Sequence, residues 1–329
     1  MAGFTVSSLS NYTVEDKADL KLKGVYGAVS MPLFTVREGI KYSEKLPYLT
    51  TDPQMQADST CASINVSGDG GTFAQITLTV DGIKFEDGWC FKDLESKFTQ
   101  KYLRAGAKID ENSANELVNT IMDDYTARIA KKMEAAIWQS SKTQGGSNTN
   151  FKQFNGFIQT LETAGGYVNQ QTVAGTSHTS ITTSNVIAIF QNQWLATPAD
   201  LKRNDNLVTV CGDDTFDKLI IALANANLYH YTGDAGLPSR EITLYGTNMK
   251  IKAVPGLNAD NNSSLPAVFK NRIITFEKDN FVVGTDMISD MDDWTTWYET
   301  KEDKLYTRNR YKITTGVFFT DRVVSFATA

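Results

Sequence analysis

The sequence predicts an α+β protein, and three observations carry that reading. The stretch from Ser113 to about Ser141 repeats apolar residues at helical spacing with no Gly or Pro inside it. The chain from Leu46 to Trp89, and again from Phe281 onward, carries strand-like runs with alternating apolar and polar positions. Between them, from about Thr183, helix-like and strand-like segments interleave.

The long helix organises the rest. Ser113 followed three residues later by Glu116 is a capping box, and Asp110 and Glu111 suit the positive end of a helix. Leu117, Ile121, Tyr125, Ile129, Met133 and Ile137 then recur at every fourth position. Lys131 and Lys132 lie toward the negative end, and Gly145-Gly146 closes the region. At about 1.5 Å per residue such a helix is roughly 45 Å long, and a strict i+4 row drifts by about 40° per step. Its two ends should therefore bury against different partners. The alternative is an ordinary core helix of a globular enzyme.

Taken in order, residues 1 to about 35 carry few apolar anchors and the mixed-charge run Glu15 to Lys23, which reads as an extended arm ordered against a partner or as a frayed terminus. Ala62 to Val66 and Thr72 to Val80 alternate around Ser67-Gly68-Asp69-Gly70-Gly71, a hairpin with Ile76, Leu78 and Val80 on one face. Asp81-Gly82 breaks the chain before Ile83. A two-stranded ribbon is marginal in water and must lie on its own core or on another chain. Phe91 to Ala105 reads as a shorter helix, Phe154 to Leu161 as a short apolar element, and Gly165 to Ser184 as a surface connection. Val186 to Leu195 forms a helix that stops before Pro198, and Leu207 to Cys211 a buried strand. Asp213 or Asp214 caps the next helix, with Phe216, Leu219, Ile220 and Leu223 on its face. Strands follow at Glu241 to Tyr245, Met249 to Val254 and Arg272 to Phe276, then at Trp294 to Tyr298, Lys312 to Phe319 and Arg322 to Phe326.

Composition narrows the function. The 329 residues are 41% hydrophobic and 21% charged, as in a folded protein, and the formal net charge of -6 disfavours a general basic surface for nucleic acid without excluding a local basic stripe. No run of 18 apolar residues suggests a membrane span. No secretory signal is recognised, so the sequons at Asn11, Asn65 and Asn262 are read as silent and synthesis as reducing and cytosolic. Cys61, Cys90 and Cys211 show no zinc spacing; Cys61 and Cys90 flank the ribbon as two small buried hydrophobes or as a disulfide. His178 and His230 have no partner at ligand or triad spacing, and no phosphate loop, nucleophile elbow or dinucleotide fingerprint occurs. Asp286, Asp290, Asp292 and Asp293 form the one carboxylate cluster, either a solvated loop or an oxygen-ligand site for a divalent ion. Binding or structure is favoured over catalysis, with no catalytic residue, cofactor or metal assigned.

The order of elements carries a resemblance. Arm, protruding ribbon, long helix, α+β module and returning strands, with Ala135-Ala136-Ile137-Trp138, Gly145-Gly146 and Phe154-Asn155-Gly156-Phe157-Ile158 in sequence, resemble the major capsid proteins of tailed bacteriophages, with the Hong Kong 97-type fold, over almost the whole chain. That resemblance implies an N-terminal arm at 1–35, an E-loop with flanking strands at 36–90, a P domain at 91–182 with its spine helix at 113–141, and an A domain at 183–284. It further implies P-domain return strands at 285–318 and a C-terminal strand at 319–329 returning to the A domain. It implies a structural head protein that assembles with itself as hexamers and pentamers into an icosahedral shell enclosing double-stranded DNA, without sequence-specific binding. Its location would be the virion, after synthesis in a bacterial cytoplasm. The sequence has no long, charged, coiled-coil-like N-terminal segment, so a separate scaffolding protein, or removal of that segment, is implied, along with a portal and possible decoration proteins. The E-loop residues expected to touch a neighbouring subunit are Ser67, Gly68, Asp69, Gly70, Gly71, Phe73, Ile76 and Leu78. Alternatives are an encapsulin-like compartment shell, a virion decoration protein, or a metal-dependent hydrolase using Asp286 to Asp293.

Overall fold

The computed structural model describes residues 29–51, 53, 55, 71–90, 111–144, 148–226, 240–261, 264–287, 294–299, 301–302 and 304–328. Its first sheet places β1 (Thr35–Arg37) parallel to β10 (Phe281–Thr285), and β10 antiparallel to β12 (Lys304–Val317). The 14-residue β12 also pairs β11 (Trp294–Glu299) and β4 (Asp81–Cys90). Thr307, Asn309, Tyr311, Ile313 and Thr315 of β12 are buried while Arg310 is exposed, so this sheet has a covered face and an open one.

The second sheet has the order β5 (Val168–Asn169), β13 (Val324–Phe326), β9 (Ile273–Glu277), β6 (Leu207–Cys211), β8 (Lys250–Ala253), β7 (Glu241–Thr243). Its central strand β6 is buried at every position, which is why Leu-Val-Thr-Val-Cys reads as a nearly continuous apolar run. Helices α4 (Val186–Ala196) and α5 (Asp213–Asn225) share a core with this sheet through Val186, Ile189, Phe190, Phe216 and Leu219.

The chain crosses from the second sheet to the first in a single turn, Lys278–Asn280, between β9 and β10. Phe276 and Phe281 flank that turn and stack at 4.1 Å between ring centroids. Phe157 lies 4.7 Å from Phe281, Phe34 lies 4.5 Å from Phe157, and Trp138 lies 5.5 Å from Phe157. Rings from five separate parts of the chain thus make one core, where each contributes large apolar area and offset-stacking contacts.

Helix α1 (Glu111–Gln139) delivers Ala136, Ile137 and Trp138 to that core. Its last turn is closed by backbone from farther on: Gly156 N–H donates to the Ser140 carbonyl at 2.8 Å and Ser141 N–H to the Phe151 carbonyl at 2.9 Å. Gly156 is required there, since a Cβ would stand 2.7 Å from the Ile137 carbonyl oxygen. Directly after it, α2 (Phe157–Ala164) buries Phe157, Ile158 and Leu161. Among the described residues no helix is long and apolar enough to cross a membrane.

Several expectations are corrected. Residues 29–35 are not part of a loose arm: Ser30 is 0% exposed, Leu33 and Phe34 enter the aromatic core, and β1 begins at Thr35. Strand β3 (Thr72–Thr79) pairs with β2 (Ser43–Thr50), a partner the sequence did not suggest, while the expected partner 62–66 lies outside the described residues. The break expected at Asp81-Gly82 falls one residue earlier, at Val80: β3 ends at Thr79 and β4 begins at Asp81, whose carboxylate is held by Lys142 Nζ at 2.5 Å. The supposed connection at 165–184 contains β5 and a helical turn, α3 (Gln170–Ala174), with Gln170 fully buried. Gly212, not an aspartate, is the N-cap of α5, and the Asn258 side-chain oxygen accepts the Asp213 N–H at 2.7 Å in place of a local cap. The first 28 residues and the helix expected at 91–105 lie outside the described residues.

Candidate assembly surfaces

Among the described residues the β2–β3 ribbon is a separate two-stranded sheet, in register from Ser43↔Thr79 to Thr50↔Thr72. Its two faces differ, as period-2 side-chain alternation requires. On the inner face Leu46, Ile76 and Leu78 pack with Val80 against Ile40, Val282 and Phe318, and Tyr48 meets Phe319 edge-on at 5.1 Å. Leu78 fits there because β12 carries Gly316: a Cβ at that glycine would lie 2.4 Å from Leu78 Cδ2. The outer face carries the cross-strand pairs Lys45–Thr77, Pro47–Gln75 and Leu49–Phe73. Leu49 is 48% and Phe73 81% exposed, so the last pair is an apolar patch on the solvent side of the ribbon.

This arrangement redistributes the residues expected at a subunit contact. Phe73 is exposed and available. Leu78 is 1% exposed and Ile76 half-buried, so the face they share with Val80 covers the chain's own sheet, not a neighbour. Alternation marks a face that must be covered; the hollow above Gly316 decides what covers it. Gly71 stands at the start of β3 with φ +148°. Ser67, Gly68, Asp69 and Gly70 lie outside the described residues.

A second feature was not anticipated. Ser30 fixes the entry of the N-terminal segment onto α1: its N–H donates to Glu134 Oε2 at 3.2 Å, its hydroxyl donates to Glu134 Oε1, and its Oγ accepts from Trp138 Nε1 at 2.7 Å. Glu134 is only 5% exposed, and burial raises its pKa against the opposing pull of the Ser30 hydrogen bonds and the Lys252 charge. On the far side of the core, Arg272 is 2% exposed in its side chain and donates to the Val268 carbonyl and to Ser325 Oγ, both at 2.6 Å, while pairing with Glu162. It ties β9 to β13 and α2 as a structural clamp.

The candidate chemical residues do not converge. Among the described residues no group of three or more His, Cys, Asp and Glu side chains could hold a metal ion. Asp286 is paired with Lys312 at 2.8 Å, while Asp290, Asp292 and Asp293 lie outside the described residues. His178 offers its backbone carbonyl to Gln171, and His230 and Cys61 also lie outside. Cys211 is fully buried, and desolvation pushes its thiol pKa well up, the reverse of an activated nucleophile.

No protein-family model matches the sequence, and no curated protein matches it. Solved structures do match, along nearly the full chain. A chain of the satellite phage P4 procapsid, which includes the size determination (Sid) protein, aligns with a TM-score of 0.54 at 10% identity, covering 96% of this chain and 99% of that one. A Gordonia phage Cozz chain aligns with a TM-score of 0.58 at 10% identity, covering 92% and 86%. A chain from the capsid of the native GTA particle aligns with a TM-score of 0.51 at 14% identity, covering 92% and 90%. At such identities the likeness is one of fold, and the fold is the Hong Kong 97 type.

Proposed function

We propose, from a fold shared end to end with subunits of phage capsid and procapsid structures, that this chain is the major head protein of a tailed bacteriophage. It would assemble with itself as hexamers and pentamers into an icosahedral shell around double-stranded DNA, and reside in the virion. The observation that carries this reading is mutual coverage: the P4 procapsid match spans 96% of this chain and 99% of the other, so the likeness extends beyond any single module. Shell formation needs heterologous contacts that close, and projecting segments supply buried area beyond what the body offers.

In this reading α1 is the spine of the P domain and the β2–β3 ribbon is the E-loop. Residues 36–90, 91–182 and 183–284 take the E-loop, P-domain and A-domain roles, with 285–318 returning to the P domain and 319–329 to the A domain. The single turn Lys278–Asn280 moves the return slightly earlier, since β10 already belongs to the first sheet. The arm would comprise the residues before Ser30, anchored at Glu134 and Trp138. Scaffolding, portal and decoration proteins would be its further partners.

The outer face of the E-loop supports the contact role, because Leu49 and Phe73 form an apolar cross-strand pair that the chain itself leaves exposed. Phe73→Asp is therefore expected to leave the fold intact and abolish large particles. Sedimentation velocity on the variant and the wild type, with matched thermal melts, tests this. Normal particles from Phe73→Asp would contradict the E-loop assignment.

A further inference from the structure

Among the described residues the two edges of the β2–β3 ribbon are guarded unequally. Val80 N–H donates to the Tyr42 carbonyl at 3.0 Å, one step beyond the Ser43↔Thr79 pair, and the register then runs without a bulge to Thr50↔Thr72. Hydrogen-bonded and non-hydrogen-bonded pairs alternate along an antiparallel ladder, so this one bond fixes which way every backbone group points. Thr72, Ala74, Ile76 and Leu78 exchange backbone bonds with β2. Phe73, Gln75, Thr77 and Thr79 turn their N–H and carbonyl groups to the far edge of β3, as Lys45, Pro47 and Leu49 do on β2.

Strand β2 carries the features that keep a bare edge from pairing. Pro47 withholds a donor there at no cost to the ladder, and Lys45 would bring a charge beside any added strand. Strand β3 carries neither. Its sequence Thr-Phe-Ala-Gln-Ile-Thr-Leu-Thr has no charge and no proline, and Phe73, Gln75, Thr77 and Thr79 are all exposed. Among the described residues no hydrogen bond reaches the backbone groups of those four. Such an edge is a template for one more strand, and length and charge select the occupant. Among the other described strands with a free edge, β1, β5 and β7 have only two or three residues, while β4 and β11 carry charged ones. An uncharged partner of equal length is β3 itself.

We infer that β3 pairs antiparallel with β3 of a second copy across a two-fold axis, joining two ribbons into one four-stranded sheet. A register centred on Ile76 uses all four free residues: Phe73 exchanges backbone bonds with Thr79 of the partner subunit, and Gln75 with Thr77 of the partner subunit. The contact rests on the assembly reading above. Being isologous, it differs from the heterologous contacts that close a ring, and it links one ring to the next.

The test compares the threshold concentration for particle formation, by light scattering, in the full chain and its edge variants, with thermal melts as the check on folding. Wild-type protein that never assembles overturns the assembly reading and this contact together. Given assembly, Gln75→Pro removes an outward N–H opposite Pro47. It is expected to leave the melt unchanged and to raise the threshold about tenfold or more, since each two-fold contact loses that bond twice. Gln75→Lys/Thr77→Lys sets like charges opposite each other across the axis and should also raise the threshold about tenfold or more. Gln75→Glu/Thr77→Glu should do likewise, and an equal mixture of these two double variants should restore the wild-type threshold. An unchanged threshold in Gln75→Pro with an intact melt overturns the proposal and leaves the assembly reading in place. So does a mixture that assembles no better than either double variant alone, which would give the β3 edge a partner other than itself. If Gln75→Pro melts early, the two double variants and their mixture decide by the same outcomes.

Discussion

Glu134 is a carboxylate that the fold takes out of water and then only partly compensates. Its folded pKa is raised above the ordinary glutamate value of 4.5, first by desolvation, so protonation favours the native state. The stability this group contributes is fully present below that ordinary value and is lost as pH rises through the raised one. Glu134→Gln keeps an oxygen for the Ser30 N–H and removes the charge. The variant should match or exceed the wild type in urea melts at pH 8, with the difference shrinking toward pH 4; a variant less stable than wild type at pH 8 would contradict the account. In the sequence Glu134 stands two residues after Lys131-Lys132, and a charged residue there carries no mark of burial. The legible hint was Trp138, one helical turn on, which places position 134 on the same buried side. Ser30 gave no hint, because a single serine in a segment with few apolar anchors has no local pattern to mark it.

At the scale of elements, α1 is the part most readable in advance, since spacing and the absence of helix breakers agree; it ends at Gln139, two residues before the expected Ser141, and Ser113 lies inside the helix and does not cap it. Ile129 sits on its buried face at 9% exposure. Ile129→Asp is expected to prevent stable folding, because an unpaired buried carboxylate costs on the order of several kcal/mol; a far-ultraviolet circular dichroism melt like that of the wild type would show that α1 is not a spine. The ribbon was harder. The alternation of 72–79 was plain, but 62–66 lay beside it across an Asp-Gly turn signal, whereas 43–50, which the structure pairs with it, contains Pro47 and two charges. Pairing across residues 51–71 leaves no local mark, and Pro is tolerated in β2 because among the described residues β2 is an edge strand. Asp81-Gly82 marked the change of sheet to within a residue: β3 ends at Thr79, and the turn-prone pair opens β4 with Lys142 on the Asp81 carboxylate.

At the scale of the whole molecule, the order of elements was legible and the assignment of surfaces was not. The sequence of ribbon, long helix, mixed module and returning strands survives in the structure, and so does its likeness to capsid subunits at 10% to 14% identity. Which apolar face belongs to the chain and which to a neighbour depends on distant glycines and on the sheet they thin. That is how Leu78 came to be spent internally while Phe73 stays exposed. The central claim is that this subunit completes itself against copies of itself. Negative-stain electron microscopy of the expressed wild-type protein, with a co-expressed scaffolding protein where one is needed, tests it most directly. Closed shells, tubes or rings of five or six subunits are the predicted result, and a field of isolated monomers at every concentration would contradict it.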